Sequence, residues 1–167
     1  MQALAPGKVA PEFTLNTVDG KQVALRELLE RGPVVLAFFK VSCPVCQFAF
    51  PYYERLARAH HDDQGVTFLG ICQNNASDAV AFACEYGVTF PIALDNDANG
   101  YEVSNAYGLT NVPTLFYIAP SGEIKVSSVS WSKAELDEVN ARLSTRHQQA
   151  APIIWKAGED IPAFRPG

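Results

Sequence analysis

Runs of apolar residues bounded by Gly, Pro or charged residues divide the chain into short strands, and apolar residues at three- and four-residue steps indicate helices between them. Val34–Phe39 is apolar throughout, which is typical of a central strand buried on both faces of a sheet. Helical spacing follows from Pro44 to about His61, and Val66–Cys72 is a second apolar run. The pattern therefore predicts a strand, a helix and a parallel second strand.

Shorter elements precede and follow this unit. Asp19-Gly20, between two short alternating stretches, predicts an N-terminal β-hairpin. The later predicted elements are a helix over Ser77–Tyr86, an extended piece over Phe90–Leu94, a polar loop over Asp95–Gly100, a helix over Tyr101–Tyr107, strands over Val112–Ile118 and Ile124–Ser130, and a helix from Ser132 to about Arg146. This order favours an α/β fold in which a central mixed sheet is flanked by helices.

Length and composition fit one domain with an ordinary core. The chain has 167 residues, of which 48% are hydrophobic and 19% charged. We expect a single domain over residues 1–146. Residues 147–167 contain three prolines and are expected to form an irregular tail on or near the surface.

Charge and hydropathy argue against several classes of partner. The formal charge is −5 and Lys and Arg form no cluster, so no nucleic-acid partner is expected. No apolar run reaches the roughly 18 residues that span a bilayer, so no membrane span is expected. The first residues lack the basic start and apolar stretch of a secretory signal, which predicts either no leader or a leader already removed and leaves the compartment open.

Two cysteines lie where the first buried strand gives way to a helix. Unpaired N–H groups and the helix dipole favour an anion at the first of them, Cys43. Because the thiolate is the nucleophile, we expect Cys43 to attack a disulfide and Cys46, one turn deeper, to release the partner from the mixed disulfide. Lys40 adds a positive charge nearby and is a possible modulator of the pair.

A zinc site and inert core cysteines are the other interpretations of this pair. Zinc takes four ligands, and the remaining cysteines, Cys72 and Cys84, are 12 residues apart and form no second close pair. We therefore expect neither a metal nor an organic cofactor. Cys72 and Cys84 are expected to be small buried residues.

Several of these features together resemble the thioredoxin superfamily. They are the run Val34–Phe39, the motif Cys43-Pro44-Val45-Cys46, Pro51, and Val112-Pro113-Thr114 at the start of a later strand. The start at residues 6–13 and the segment at residues 68–107 are similar to the redoxin branch, which contains the AhpC/TSA peroxiredoxins and the TlpA/ResA-like thiol–disulfide oxidoreductases. The resemblance covers about residues 6–146. It implies a thioredoxin-like fold with an N-terminal β-hairpin and an inserted strand–helix segment.

The resemblance also implies a function and a substrate site. Pro113 would follow a cis bond, and the exposed backbone of Val112 would pair with an extended substrate segment beside Cys43, near Pro44. The implied activity is thiol–disulfide exchange with a protein or small-molecule disulfide or dithiol and an electron donor. We expect the protein to act as a monomer.

Departures from the family pattern keep two alternatives open. Ala37 and Ala49 stand where thioredoxin and the ResA-like proteins carry carboxylates, so the group that takes the Cys46 proton is open, with Glu85 as a candidate. A peroxiredoxin has Thr or Ser where this chain has Lys40. The alternatives are a thiol peroxidase, with Cys84 as its second thiol, and a redox-inactive peptide-binding module.

Overall fold

The computed structural model describes residues 2–63 and 65–167. The strands and helices follow one another as β1 (Thr14–Asn16), β2 (Gln22–Ala24), α1 (Leu25–Arg31), β3 (Val34–Phe39), α2 (Pro44–Ala59), β4 (Thr67–Cys72), α3 (Ala76–Tyr86), β5 (Ile92–Leu94), a 3-10 turn (Asp97–Asn99), α4 (Glu102–Ala106), β6 (Thr114–Ile118), β7 (Ile124–Val129), β8 (Trp131–Ser132), α5 (Lys133–Thr145) and β9 (Phe164–Arg165).

Strand β3 lies at the centre of a five-stranded sheet with the order β5-β4-β3-β6-β7. It pairs in parallel with β4 and antiparallel with β6, so that Phe38 lies opposite both Ile71 and Thr114. All six residues of β3 are buried, because the strand has neighbours on both edges and helices cover both faces. The predicted mixed sheet is confirmed, and β1 and β2 form the predicted hairpin.

The side chains of β3 alternate between two core layers. Val35, Ala37 and Phe39 pack in the layer under α2, α3 and α5. Val34, Leu36 and Phe38 pack in the layer under α1 and α4. This alternation follows from the two-residue period of a strand, and it leaves the turn after Phe39 at the edge of the sheet.

Helix α2 begins at the cysteine pair. Cys43 is its N-cap and Pro44 occupies the first turn, where a missing N–H costs no helical hydrogen bond. The helix continues past Pro51 to Ala59. Helix α3 begins one residue before the predicted start, because Asn75 accepts a hydrogen bond from the Asp78 amide (2.8 Å) and caps it.

The C-terminal segment is less irregular than its prolines indicate. Strand β9 pairs antiparallel with β8, and the Trp131 indole donates a hydrogen bond to the Pro162 carbonyl (2.8 Å). Ile154 is buried against the layer under α2. Within the described residues, every helix is too short or too polar to cross a bilayer.

Candidate active site

The two cysteines of the CPVC motif lie just beyond the carboxyl end of β3 and have different surroundings. Cys43 is half-buried at the helix N-cap, whereas Cys46 is fully buried in the layer under α2. Both are free thiols. The accessible sulfur is therefore that of Cys43, as the helix-start position predicts.

Two hydrogen bonds hold the Cys43 sulfur, and they respond differently to its ionisation. The Cys46 amide donates to Cys43 Sγ at 3.3 Å, and this bond persists and strengthens when the sulfur is a thiolate. The Cys43 thiol donates to the Val112 carbonyl oxygen, also at 3.3 Å. A thiolate cannot donate, so the second bond is made only by the protonated form.

Burial raises the pKa of the Cys46 thiol far above its usual range. The contact between its side chain and Cys43 raises this pKa further, and a backbone hydrogen bond from Lys40 opposes the rise. Cys46 is therefore a thiol at neutral pH while the pair is reduced. Attack by this sulfur on a disulfide would require the loss of that proton.

The loop before β6 brings a distant part of the chain to Cys43. The Val112–Pro113 peptide bond is cis, Pro113 is buried and Val112 is half-buried. The Thr114 hydroxyl donates a hydrogen bond to the Asn111 carbonyl (2.8 Å), and this bond stabilises the conformation of the loop. The structure thus places the Val112 backbone in direct contact with Cys43, 69 residues away in sequence.

Lys40 and Pro44 also flank the pair, both with exposed side chains. The Lys40 carbonyl accepts a hydrogen bond from the Cys43 amide (3.2 Å), so this residue contacts the site through its backbone. Pro44 lies on the exposed side of the helix start, next to Cys43.

Two side chains that the sequence analysis missed hold the turn before Cys43. Asn74 Oδ1 accepts from the Val41 amide (3.0 Å), and Gln47 donates to the Val41 carbonyl (2.9 Å). Asn74 follows the end of β4, which is parallel to β3, so it reaches the same edge of the sheet. The sequence could have pointed to Asn74, because a residue that follows a neighbouring parallel strand lies at the same edge of the sheet as the cysteine pair.

The remaining candidates lie apart or are inert. Cys72 is buried, and burial raises its pKa to about 11. Cys84 is exposed, so the expectation that it is a small buried residue is wrong: it lies on the outer face of α3. Glu85 is also exposed and contacts Tyr86. Among the described residues, no group of three or more His, Cys, Asp or Glu side chains is arranged to hold a metal ion.

Comparison with known proteins identifies the family. Residues 6–127 match the AhpC/TSA family. The chain belongs to this family. One relative is the thiol-disulfide oxidoreductase ResA of Bacillus subtilis, which is 34% identical to the chain over 124 residues, or 74% of the chain. The chain spans about two thirds (66%) of the length of that relative.

Solved structures show the same fold for this AhpC/TSA member. A putative protein disulfide isomerase from Bacteroides thetaiotaomicron matches 88% of the chain and 98% of its own length, with a TM-score of 0.76 and 27% identity. The thioredoxin domain of a thiol-disulfide oxidoreductase from Bacteroides vulgatus matches 84% of the chain and 98% of its own length, with a TM-score of 0.73 and 22% identity. The predicted thioredoxin-like fold is thereby confirmed.

Proposed function

We propose that this protein is a thiol–disulfide oxidoreductase in which Cys43 attacks and Cys46 resolves. The observation that carries the proposal is the position of Cys43 Sγ, which is half-exposed between the Cys46 amide and the Val112 carbonyl. Cys46 lies one helical turn deeper, fully buried and in contact with Cys43. The name of the ResA relative supports the same reaction class.

The exchange takes place in two displacements. The Cys43 thiol gives up its proton, the resulting thiolate attacks one sulfur of the partner disulfide, and the other partner sulfur leaves as a thiolate and takes up a proton. Cys46 then loses its proton and attacks Cys43 Sγ. This step forms the Cys43–Cys46 disulfide and releases the second partner thiolate. Two electrons pass to the partner, and two protons move from the cysteine pair to the partner sulfurs.

The partner is proposed to be a protein disulfide presented in an extended segment. Val112 offers a backbone edge next to the nucleophile, and an extended segment can add to such an edge as a further strand. Pro44, exposed beside Cys43, would border that segment. A small-molecule disulfide is the alternative partner. A dithiol electron donor would return the pair to its reduced form for the next turnover.

One copy of the chain supplies every residue of this site, so we propose that the protein acts as a monomer. We also propose that residues 1–146 form the domain and that residues 147–167 dock on it. The peroxidase alternative gains no support, because the position three residues before Cys43 holds an exposed Lys40 without a hydroxyl.

Trapping of the mixed disulfide tests the assignment of the two roles. Reduced Cys46→Ser protein mixed with a disulfide-bonded substrate such as insulin should form a stable covalent adduct through Cys43. Cys43→Ser should form none. The matched control is Cys84→Ser, which removes an exposed thiol away from the motif and should behave as the wild type. Non-reducing electrophoresis and mass spectrometry measure the adduct, and an adduct through Cys84 or Cys72 would contradict the proposal.

A further inference from the structure

The chain's own C-terminal segment lies along the edge of the proposed partner site. We call residues 163–167 the strap. Its strand β9 pairs with β8, with Trp131 opposite Arg165. The Lys133 amide continues the pairing by donating to the Ala163 carbonyl (3.0 Å). The strap is therefore an extended segment added to an existing strand, which is the way an extended partner would bind.

The end of the strap reaches the loop that carries the cis proline. The Gly167 amide donates to Ser130 Oγ (3.0 Å), and Asn111 Nδ2 donates to the Gly167 carbonyl (3.0 Å). Gly167 also packs so closely on Val112 that an added Cβ would overlap the Val112 carbonyl oxygen. That oxygen is the atom that accepts the hydrogen bond from Cys43 Sγ.

The contacts that hold the strap are few and mostly polar. The Arg165 guanidinium lies over the Phe48 ring of α2, 4.6 Å from its centroid. Phe164 is 59% exposed, so it contributes little apolar burial. A segment held by a two-residue strand pairing, one exposed and one part-buried hydrogen bond at its end, and one cation–π contact opens at lower free-energy cost than the core.

We propose that the strap is an internal occupant of the partner-binding edge, and that a partner segment must displace it to reach the Val112 backbone. This inference rests on the proposed thiol–disulfide exchange. The strap and a partner cannot both lie against Val112, because Gly167 already contacts its carbonyl. The residues under the strap also define the partner: an extended segment that places a cation over Phe48.

Two full-length variants test the displacement. Gly167→Val introduces the overlap with Val112, and Arg165→Ala removes the contact with Phe48. The readouts are the single-turnover rate with a disulfide-bonded peptide and the rate at which iodoacetamide labels Cys43, measured by mass spectrometry. We expect the peptide rate to rise about threefold or more in both variants, because a larger fraction of molecules has an open edge. Iodoacetamide is small, and its rate should change by less than about twofold.

Matched controls and a peptide added in trans separate the outcomes. Ala151→Val and Arg26→Ala, both at exposed positions, should leave the two rates unchanged. An excess of the free peptide Pro-Ala-Phe-Arg-Pro-Gly should slow Gly167→Val again, and a scrambled peptide should not. Equal peptide rates in the wild type and both variants would overturn the strap inference alone. Absence of any peptide reaction, the wild type included, would overturn the proposed exchange on which it rests.

Discussion

Cys43 and Cys46 are one helical turn apart in sequence, yet their surroundings differ in a way that suits the different tasks proposed for them. Cys43 caps the helix and accepts a backbone N–H, which stabilises an anion at the surface. Cys46 is in the core, where burial raises the pKa of its thiol and keeps the proton in place. The proposed distinction between attacking and resolving thiol therefore rests on burial, although the two residues are of the same type.

The raised pKa of Cys46 predicts how stability depends on pH. The folded state holds this proton more tightly than the unfolded chain, whose thiol has a pKa of 9.0. The stabilisation is fully present below pH 9.0 and is lost as pH rises toward the folded pKa. Above pH 9.0, we expect the free energy of unfolding of the reduced protein to fall by up to about 1.4 kcal/mol per pH unit because of Cys46.

Urea unfolding under reducing conditions, from about pH 8 to about pH 11, measures this decline. Cys46→Ala should show a shallower dependence than the wild type, whereas Cys84→Ala, at an exposed thiol, should follow the wild type. Cys72 also has a raised pKa, but it is present in all three proteins and cancels in the comparison. Parallel curves for the wild type and Cys46→Ala would show that Cys46 does not carry the effect.

At the scale of elements, the segment between α4 and β6 is held by the N-terminal residues. The Leu4 amide donates to the Tyr107 carbonyl (3.1 Å), and the Tyr107 hydroxyl donates to the Pro11 carbonyl (2.9 Å). Gly108 has a φ of +69°, and a Cβ there would overlap the Gln2 carbonyl oxygen. This glycine therefore serves both the backbone conformation and the close approach of the N-terminal segment.

Gly108→Ala and Gly100→Ala form a matched pair that separates these two effects. Gly100 has nearly the same φ, +68°, but the space around its missing Cβ is open. Both substitutions should cost about 1–2 kcal/mol for the left-handed conformation. Gly108→Ala should cost about 1–3 kcal/mol more because the N-terminal segment must move. Thermal or urea unfolding measures both, and equal losses would show that the contact with Gln2 contributes nothing.

The spacing of hydrophobic residues along the sequence predicted the long helices and strands well and the short ones poorly. Strand β3 has its predicted bounds because a six-residue apolar run between breakers has few alternatives. Strands β8 and β9 have two residues each, too few to show a period.

The predicted polar loop over residues 95–100 contains a fully buried carboxylate, that of Asp95. It accepts hydrogen bonds from the Ser104 amide and hydroxyl (both 2.6 Å). Its burial depends on α4 folding back over it, which local sequence does not show.

For the candidate site too, local patterns revealed some residues and missed those whose contacts depend on tertiary structure. Spacing and position pointed to Cys43 and Cys46, and the family resemblance pointed to Val112 and Pro113. Asn74 and Gly167 were missed because their contacts join segments that are distant in sequence. Such contacts follow from topology, so they become visible only when the strands are placed side by side.

At the scale of the whole molecule, the tail is tied to the helix that carries the cysteines. Arg55 of α2 makes a two-pronged ion pair with Glu159 (2.8 and 2.6 Å) and also donates to the Ile154 carbonyl (3.2 Å). The hydrogen bond from Arg55 lowers the pKa of Glu159 to about 2. The ion pair is therefore fully formed above the ordinary carboxyl pKa and is lost only as pH falls toward 2.

Glu159→Gln should loosen the tail without affecting the sheet. Because the charge opposite Arg55 is lost, we expect trypsin to cut after Lys156 several-fold faster than in the wild type, with unfolding in urea nearly unchanged. Glu138→Gln, which removes a partly exposed helical pair with Arg142, is the control and should leave the cleavage rate as it is. A cleavage rate for Glu159→Gln equal to that of the control would show that the ion pair does not hold the tail.

Both tryptophans of the chain lie where residues 147–167 pack against the rest of the chain. Trp131 is buried, and its indole donates to the Pro162 carbonyl; Trp155 belongs to the tail, and its indole donates to Asp137 (2.6 Å). The two rings lie 6.1 Å apart. All of the indole emission of this protein therefore originates at one junction. Tryptophan fluorescence, excited at wavelengths where the six tyrosines do not absorb, accordingly provides a label-free signal for the docking of the tail.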